Sequence, residues 1–244
     1  METIDLLWRA EITPNRRGRP PKYTTDQVVE AAITVADRVG SAFSLRDVAS
    51  EVGIPVMSLY SYIDSREQLL ELMIDDVHAQ MARIPLAGDW RSRLTAVADD
   101  NLTLFADHGW LADVESERAI LGPGTLTKYE YELEAINDLE LTDTDKDAAL
   151  NVVLDFVKAS ARALAHATRE RTHEDPQQWW EREGAKLAVL GIEARFPLAS
   201  RIGTAAGEAQ GAARDSRRAY EFGLPVILDG LAARLADHSC VSGG

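Results

Sequence analysis

The chain has 244 residues, enough for one large domain or two small ones around a real core. It carries 26 Lys+Arg against 40 Asp+Glu, a formal net charge of −14, with 45% hydrophobic and 27% charged residues, which argues against both a disordered acidic chain and a membrane protein. No apolar run approaches the ~18–20 residues of a spanning helix. The single cysteine, Cys240, excludes an internal disulfide and argues against a Cys-based zinc site. The opening METIDLLWRAEIT has no basic n-region and no small-residue cleavage site, so no secretory signal and a cytoplasmic location are expected.

The segments between Pro85, Pro123 and Pro176 are long, proline-free and rich in Ala, Leu, Arg and Glu, while strict apolar/polar alternation is scarce. The chain therefore reads as all-α. Charge divides it: residues 1–66 hold 8 Lys/Arg against 9 Asp/Glu, residues 67–244 hold 18 against 31. The expected organisation is an N-terminal extension with a basic arm (1–22), a helix-turn-helix head (23–68) and an acidic helical body (69–244). The arm NRRGRPPK supplies Arg16, Arg17, Arg19 and Lys22; a solvated tail is the other reading of it.

The first expected helix runs from Thr25 to Val39. Val28, Val29, Ala32, Ile33, Ala36 and Val39 recur at helical spacing, Thr24 and Gln27 have capping-box spacing, and Gly40 ends the run. The second spans Leu45 to Val52, with Ser44 and Asp47 as its capping box and Gly53 as the turn. The third covers Val56 to Ile63, with Leu59 and Ile63 inward and Val56, Met57, Ser58, Tyr60, Ser61 and Tyr62 outward. A short helix, a glycine turn and a second short helix describe a helix-turn-helix, whose protruding helix fits a major groove. The outward set contains no carboxylate, which suits a phosphate-lined groove, although an ordinary helical hairpin has the same pattern. The fourth helix starts after Ser65 and runs to about Arg83.

GRPPKYTTDQVVEAAITVADRVG followed by FSLRDVASEVGIPVMSLYSYIDSREQLLELM strongly resembles the DNA-binding head of the tetracycline-repressor family of transcriptional regulators, most specifically from Ser44 to Leu70. HGWL (108–111), LGPGTL (121–126), YEFGLPVILDGL (220–231) and the Asp5–Trp8 stretch resemble the tetracycline-repressor subgroup itself. The resemblance implies a sequence-specific regulator, a repressor released from a palindromic double-stranded operator by a small-molecule effector, with no enzymatic activity and no cofactor. It implies that Arg46 reads a base, bidentate on guanine. Val56 and Met57 open the recognition helix, Ser58, Tyr60 and Tyr62 touch phosphates or bases, and Arg66 clamps a phosphate. Ser44 and Ser61 complete the candidate DNA-facing set, and the arm reaches the minor groove or lies on phosphates.

Further helices are expected at about 89–107, 110–119, 124–138, 144–172, 176–190 and 215–237, with the small-residue segment Ala199–Ala213 as a mobile loop. Two helical stripes, one with Val152, Val153, Phe156 and Leu164, the other with Leu224, Ile227, Leu228, Leu231 and Leu235, serve equally as intramolecular core; the resemblance implies that they pair two subunits into a homodimer. Candidate pocket residues for the unknown effector are Phe105, His108, Trp110, Tyr129, Tyr131, Phe156, His166, Trp179 and Trp180, each of which also suits a core. Glu170–His173 has the ExxH spacing of dimetal helical bundles, but only Asp75–His78 comes near to a second copy, so no metal is expected. A metal-dependent bundle enzyme and a helical protein-interaction module are the alternatives; the second leaves the basic arm and the acid-free helix without a purpose.

Overall fold

The computed structural model describes residues 2–11, 23–115 and 118–241, and every regular element among them is helical. The head comprises α1 (Thr3–Leu7), α2 (Thr25–Val39), α3 (Leu45–Val52), α4 (Val56–Leu59) and the start of α5 (Arg66–Gln80). The body continues with α6 (Trp90–Asp107), α7 (Gly109–Ala112), α8 (Pro123–Glu134), α9 (Asp143–Arg171), α10 (Pro176–Val189), a 3-10 turn at Ile192–Ala194, α11 (Pro197–Gln210) and α12 (Ser216–Val241). Among the described residues no helix is long and apolar enough to cross a membrane.

Both expected capping boxes form. The Thr24 hydroxyl accepts from the Gln27 amide at 3.2 Å, and the Gln27 side chain accepts from the Thr24 N–H at 2.9 Å. Ser44 and Asp47 repeat this at 3.3 and 2.9 Å. Each such cap stabilises its helix by about 0.5–2 kcal/mol. Gly53 closes α3 in the left-handed region, at φ 76°, where its N–H reaches the carbonyls of Ala49 and Ser50. That turn sets α4 against α3.

Two apolar clusters hold the protein. The first gathers Val28, Val29, Ala32, Ile33 and Ala36 of α2 with Val48, Leu59, Ile63, Leu69 and Met73, and extends to Leu104, Trp110 and Leu111 of the body. Val39, expected in this face, is exposed at the last turn of α2. The second cluster packs Leu94, Val97 and Ala98 of α6 against Leu150, Val153 and Val157 of α9 and Tyr220, Leu224 and Leu228 of α12.

Four elements depart from the sequence reading. The N-terminal extension starts with α1, whose Leu6 and Leu7 are buried in the first cluster. Regular helix in the third head element stops at Leu59; the chain reaches Ile63 through tight turns, with Tyr62 N–H on the Leu59 carbonyl at 2.8 Å. The helix expected over 110–119 is a single turn, because side chains capture the carbonyls its next turn would use: Arg162 donates to Ala112 and Lys158 to Val114. The expected loop at 199–213 is mostly α11. Its small residues serve close packing: a Cβ on Gly207 would lie 2.1 Å from the Trp180 indole.

Candidate nucleic-acid interface

The reading face is built on α3 and α4. Leu59 and Ile63 are 0% and 1% exposed, and they anchor the α4 segment to the head so that its opposite side projects. There Met57 and Tyr60 are exposed, at 77% and 48%, with Ser61 exposed and Ser58 half-buried beside them. Arg46 is exposed on α3. No carboxylate occurs from Val52 to Ile63. Two expected outward residues turn partly inward: Val56 and Tyr62 pack against the head core. A four-residue helix is too short to keep all its other faces in solvent once Leu59 is buried.

Ser44 is exposed at the head of α3, and its hydroxyl is engaged with Asp47, donating at 2.6 Å to the carboxylate. These hydrogen bonds hold the Asp47 carboxyl below the ordinary carboxylate range. Arg66 is engaged with the head's own backbone. Its Nε donates to the Phe43 carbonyl at 3.1 Å, one Nη donates to the Ser41 carbonyl at 2.5 Å, and the guanidinium sits 4.4 Å from the centre of the Phe43 ring. The side chain braces α5 against the α2–α3 turn, with two of its donors engaged inside the head. Arg16, Arg17, Arg19 and Lys22 lie outside the described residues.

The head is fastened to the body by polar contacts that sequence spacing does not show. Asp37 of α2 accepts from the Trp110 indole at 2.8 Å and from His108 Nδ1 at 2.9 Å. The Trp8 indole, just after α1, donates to the Leu121 carbonyl at 2.8 Å. Within the head itself, Arg9 pairs with Asp26 of α2 at 2.6 Å, and the Gln68 amide donates to Thr3 at 3.2 Å.

The nine pocket candidates do not converge on one cavity. His108 and Trp110 belong to the head–body junction. Phe105 is half-buried between the two clusters. Tyr129 is exposed and donates to Asp147, whereas Tyr131 donates to Asp100 at 2.7 Å. Phe156 stacks on Tyr220 at 5.8 Å, and His166 is exposed beside Glu170. Trp180 lines a groove of about 510 Å³ between α10 and α11, and Trp179 lines a cavity of about 410 Å³ at the α9–α10 corner. Glu170 and His173 border that corner cavity, far in role from Asp75 and His78, which both engage Thr125 of α8. Among the described residues no group of three or more His, Cys, Asp or Glu is placed to hold a metal.

A buried polar belt runs instead between α5, α6 and α8. Asn101 and Glu132 are 1% and 2% exposed; Asn101 donates to Glu132 at 2.6 Å, and Lys128 pairs with the same carboxylate. His78 lies 3.0 Å from the Thr125 hydroxyl. Burial, then the charges of Lys128 and Arg83, hold its imidazole down to about 3 from an ordinary 6.5. The Nε of Arg83 is buried without a hydrogen-bond partner. The Lys128–Glu132 spacing of four was the one sequence signal for this belt.

The expected dimer stripes divide. Val153, Leu224 and Leu228 are core residues of a single subunit, and Phe156, Ile227, Leu231 and Leu235 are half-buried against that core. Val152 is exposed on α9, Leu164 is half-buried, and Phe222 and Val226, which the stripe omitted, are exposed on α12. Helices α9 and α12 pack on each other, with Val152 of α9 and Phe222 and Val226 of α12 left exposed outside that packing.

Comparison with known proteins agrees with this architecture. The profile of the family described as "Tetracyclin repressor-like, C-terminal domain" matches residues 84–235. The HTH-type transcriptional repressor DrrR1 of Streptomyces coeruleorubidus is 34% identical over 239 residues, covering 96% of this chain and 86% of that protein. An HTH-type transcriptional regulator of Saccharopolyspora erythraea is 29% identical over 154 residues, covering 62% of this chain and 65% of that protein. Among solved structures, ActR of Streptomyces coelicolor in complex with actinorhodin superposes with a TM-score of 0.70 at 26% identity, covering 88% of this chain and 99% of that one. With a repressor relative matched along nearly its whole length, a regulatory-domain profile over the body and a helix-turn-helix that projects an acid-free face, the chain belongs to the tetracycline-repressor family of transcriptional regulators.

Proposed function

We propose that the chain acts in the cytoplasm as a homodimeric repressor whose two heads read a palindromic operator, and that a small molecule bound in the body releases it. The observation that carries the reading is the exposed set Met57, Tyr60 and Ser61 in the stretch Val52–Ile63, which has no carboxylate in a protein of net charge −14, with Arg46 exposed on the neighbouring α3. An acidic body repels phosphates, so DNA contact is confined to the head. Met57 suits a thymine methyl and Arg46 a guanine edge; Ser44, Ser58 and the arm Arg16, Arg17, Arg19 and Lys22 would add backbone contacts. Dimerisation is supported by Val152, Phe222 and Val226, which stand exposed on the two packed helices α9 and α12.

The effector reading is supported by the neighbour solved with actinorhodin, and by the buried belt of His78, Arg83, Asn101, Lys128 and Glu132, which gives a polar ligand groups to bind within the body. A ligand that binds the non-DNA state better shifts the population away from the operator. The relatives are transcriptional regulators, and we assign the chain no catalytic step and no metal. Selection of bound duplexes from a random pool, followed by mobility shift, tests the reading. An inverted-repeat consensus supports it; enrichment of no sequence at low ionic strength overturns it.

A further inference from the structure

The head touches the body through few polar groups, and one carboxylate takes two of them. Asp37 accepts from Trp110 Nε1 at 2.8 Å and from His108 Nδ1 at 2.9 Å. A carboxylate oxygen facing an imidazole nitrogen serves as the acceptor, so Nδ1 carries the proton. Trp110 is 1% exposed within the cluster that head and body share, so its indole cannot swing aside. The helix that presents these donors, α7, is a single turn and has too few internal hydrogen bonds to fix itself. It is pinned from the far side by α9. Arg162 Nε donates to the Ala112 carbonyl at 2.5 Å, an Arg162 Nη pairs with Glu115 at 3.0 Å, and Lys158 donates to the Val114 carbonyl. The same α9 bears Val152 on the surface assigned above to the second subunit.

We propose that Asp37 is a positioning residue for operator recognition: through Trp110 and His108 it fixes the head against α7 and α9, and thereby sets the distance between the two reading surfaces of the dimer. The inference rests on the dimeric, operator-binding reading. The physical demand is strict, because half-sites for paired heads lie about 34–36 Å apart, one turn of duplex, or at multiples of that. A head free to rock about α5 meets this spacing only part of the time, yet it also tolerates spacings that the fixed head rejects.

The test uses the full-length protein and its selected operator, with the half-site separation lengthened or shortened by one and by two base pairs. The wild type binds one separation best. In Asp37→Ala, affinity for that separation falls about tenfold, as expected for losing charge-assisted bonds, while the altered separations change less than about threefold, so the profile flattens. His108→Gln, which keeps the indole bond, flattens it partway. An equal loss at every separation, or a profile identical to wild type, overturns the positioning role while leaving operator binding intact. A wild type indifferent to separation overturns the dimeric reading itself, and this inference with it.

Discussion

A guanidinium can serve a DNA-reading head in two ways. It can reach a guanine edge, or it can tie the head's own backbone together. On the function proposed above Arg46 takes the first task, while Arg66 performs the second. Arg46 is exposed on α3, and Arg46→Ala should cost about 1–3 kcal/mol of operator binding and relax base preference at one position per half-site. Competition against single-base operator variants measures this; unchanged discrimination removes Arg46 from the reading set. Arg66 spends two donors on Ser41 and Phe43 and covers the Phe43 ring. Its removal should lower unfolding stability by about 1.5–3 kcal/mol, with Lys a poor replacement because an ammonium cannot fork across two carbonyls. The salt slope of DNA binding should then stay as in wild type. A slope reduced by about one per head would make Arg66 a phosphate clamp after all. The two roles were indistinguishable in sequence, since the carbonyls that receive Arg66 lie 23 and 25 residues earlier.

Helices with a strong local signal were legible to the residue: α2 and α3 begin at capping boxes and end at glycines, and these devices are local. Elements set by distant partners were not. α11 looked like a loop because small residues mark both flexibility and close packing, and only the facing Trp180 decides between them. The inward turn of Val56 and the shortness of α7 likewise depend on tertiary partners. The α5–α8 pairing brings the least legible feature, the belt around His78. In the folded protein His78 takes a proton only near pH 3, in the unfolded chain near 6.5. Between those values the unfolded state binds more protons, so stability rises with pH. The contribution is complete above about pH 6.5 and is lost as pH falls, by about 2 kcal/mol at pH 5. Denaturant unfolding of wild type and His78→Gln at pH 7 and pH 5 checks this. The variant, unable to take up the proton, should lose less stability than wild type between the two pH values; equal losses would mean that His78 protonates without cost.

At the scale of the whole molecule, charge and apolar surface are segregated. The acidic body adjoins a head that keeps its carboxylates off the α4 face, and on the dimeric reading proposed above two heads approach one duplex while the bodies associate elsewhere. The outer faces of α9 and α12 are where the proposed dimer would form, and the core beneath them accounts for the inward part of the expected stripes: a bundle helix between its own core and a partner has apolar residues on two faces, and the longer stripe belongs to the core. The two faces make opposite predictions. Leu228, 4% exposed, would carry a charge into the subunit core, so Leu228→Asp should unfold the protein or severely destabilise it. Phe222 is 73% exposed, so Phe222→Asp should leave helix content and the unfolding midpoint of the isolated subunit nearly unchanged. It places a like pair of charges across an isologous contact, because the same patch faces itself around a two-fold axis. Sedimentation should then show monomers at concentrations where wild type is dimeric. Operator binding should fall more than either half-site's own affinity, because the second head no longer binds as part of one particle. A Phe222→Asp protein that sediments as a dimer and binds its operator normally would move the subunit contact away from α12.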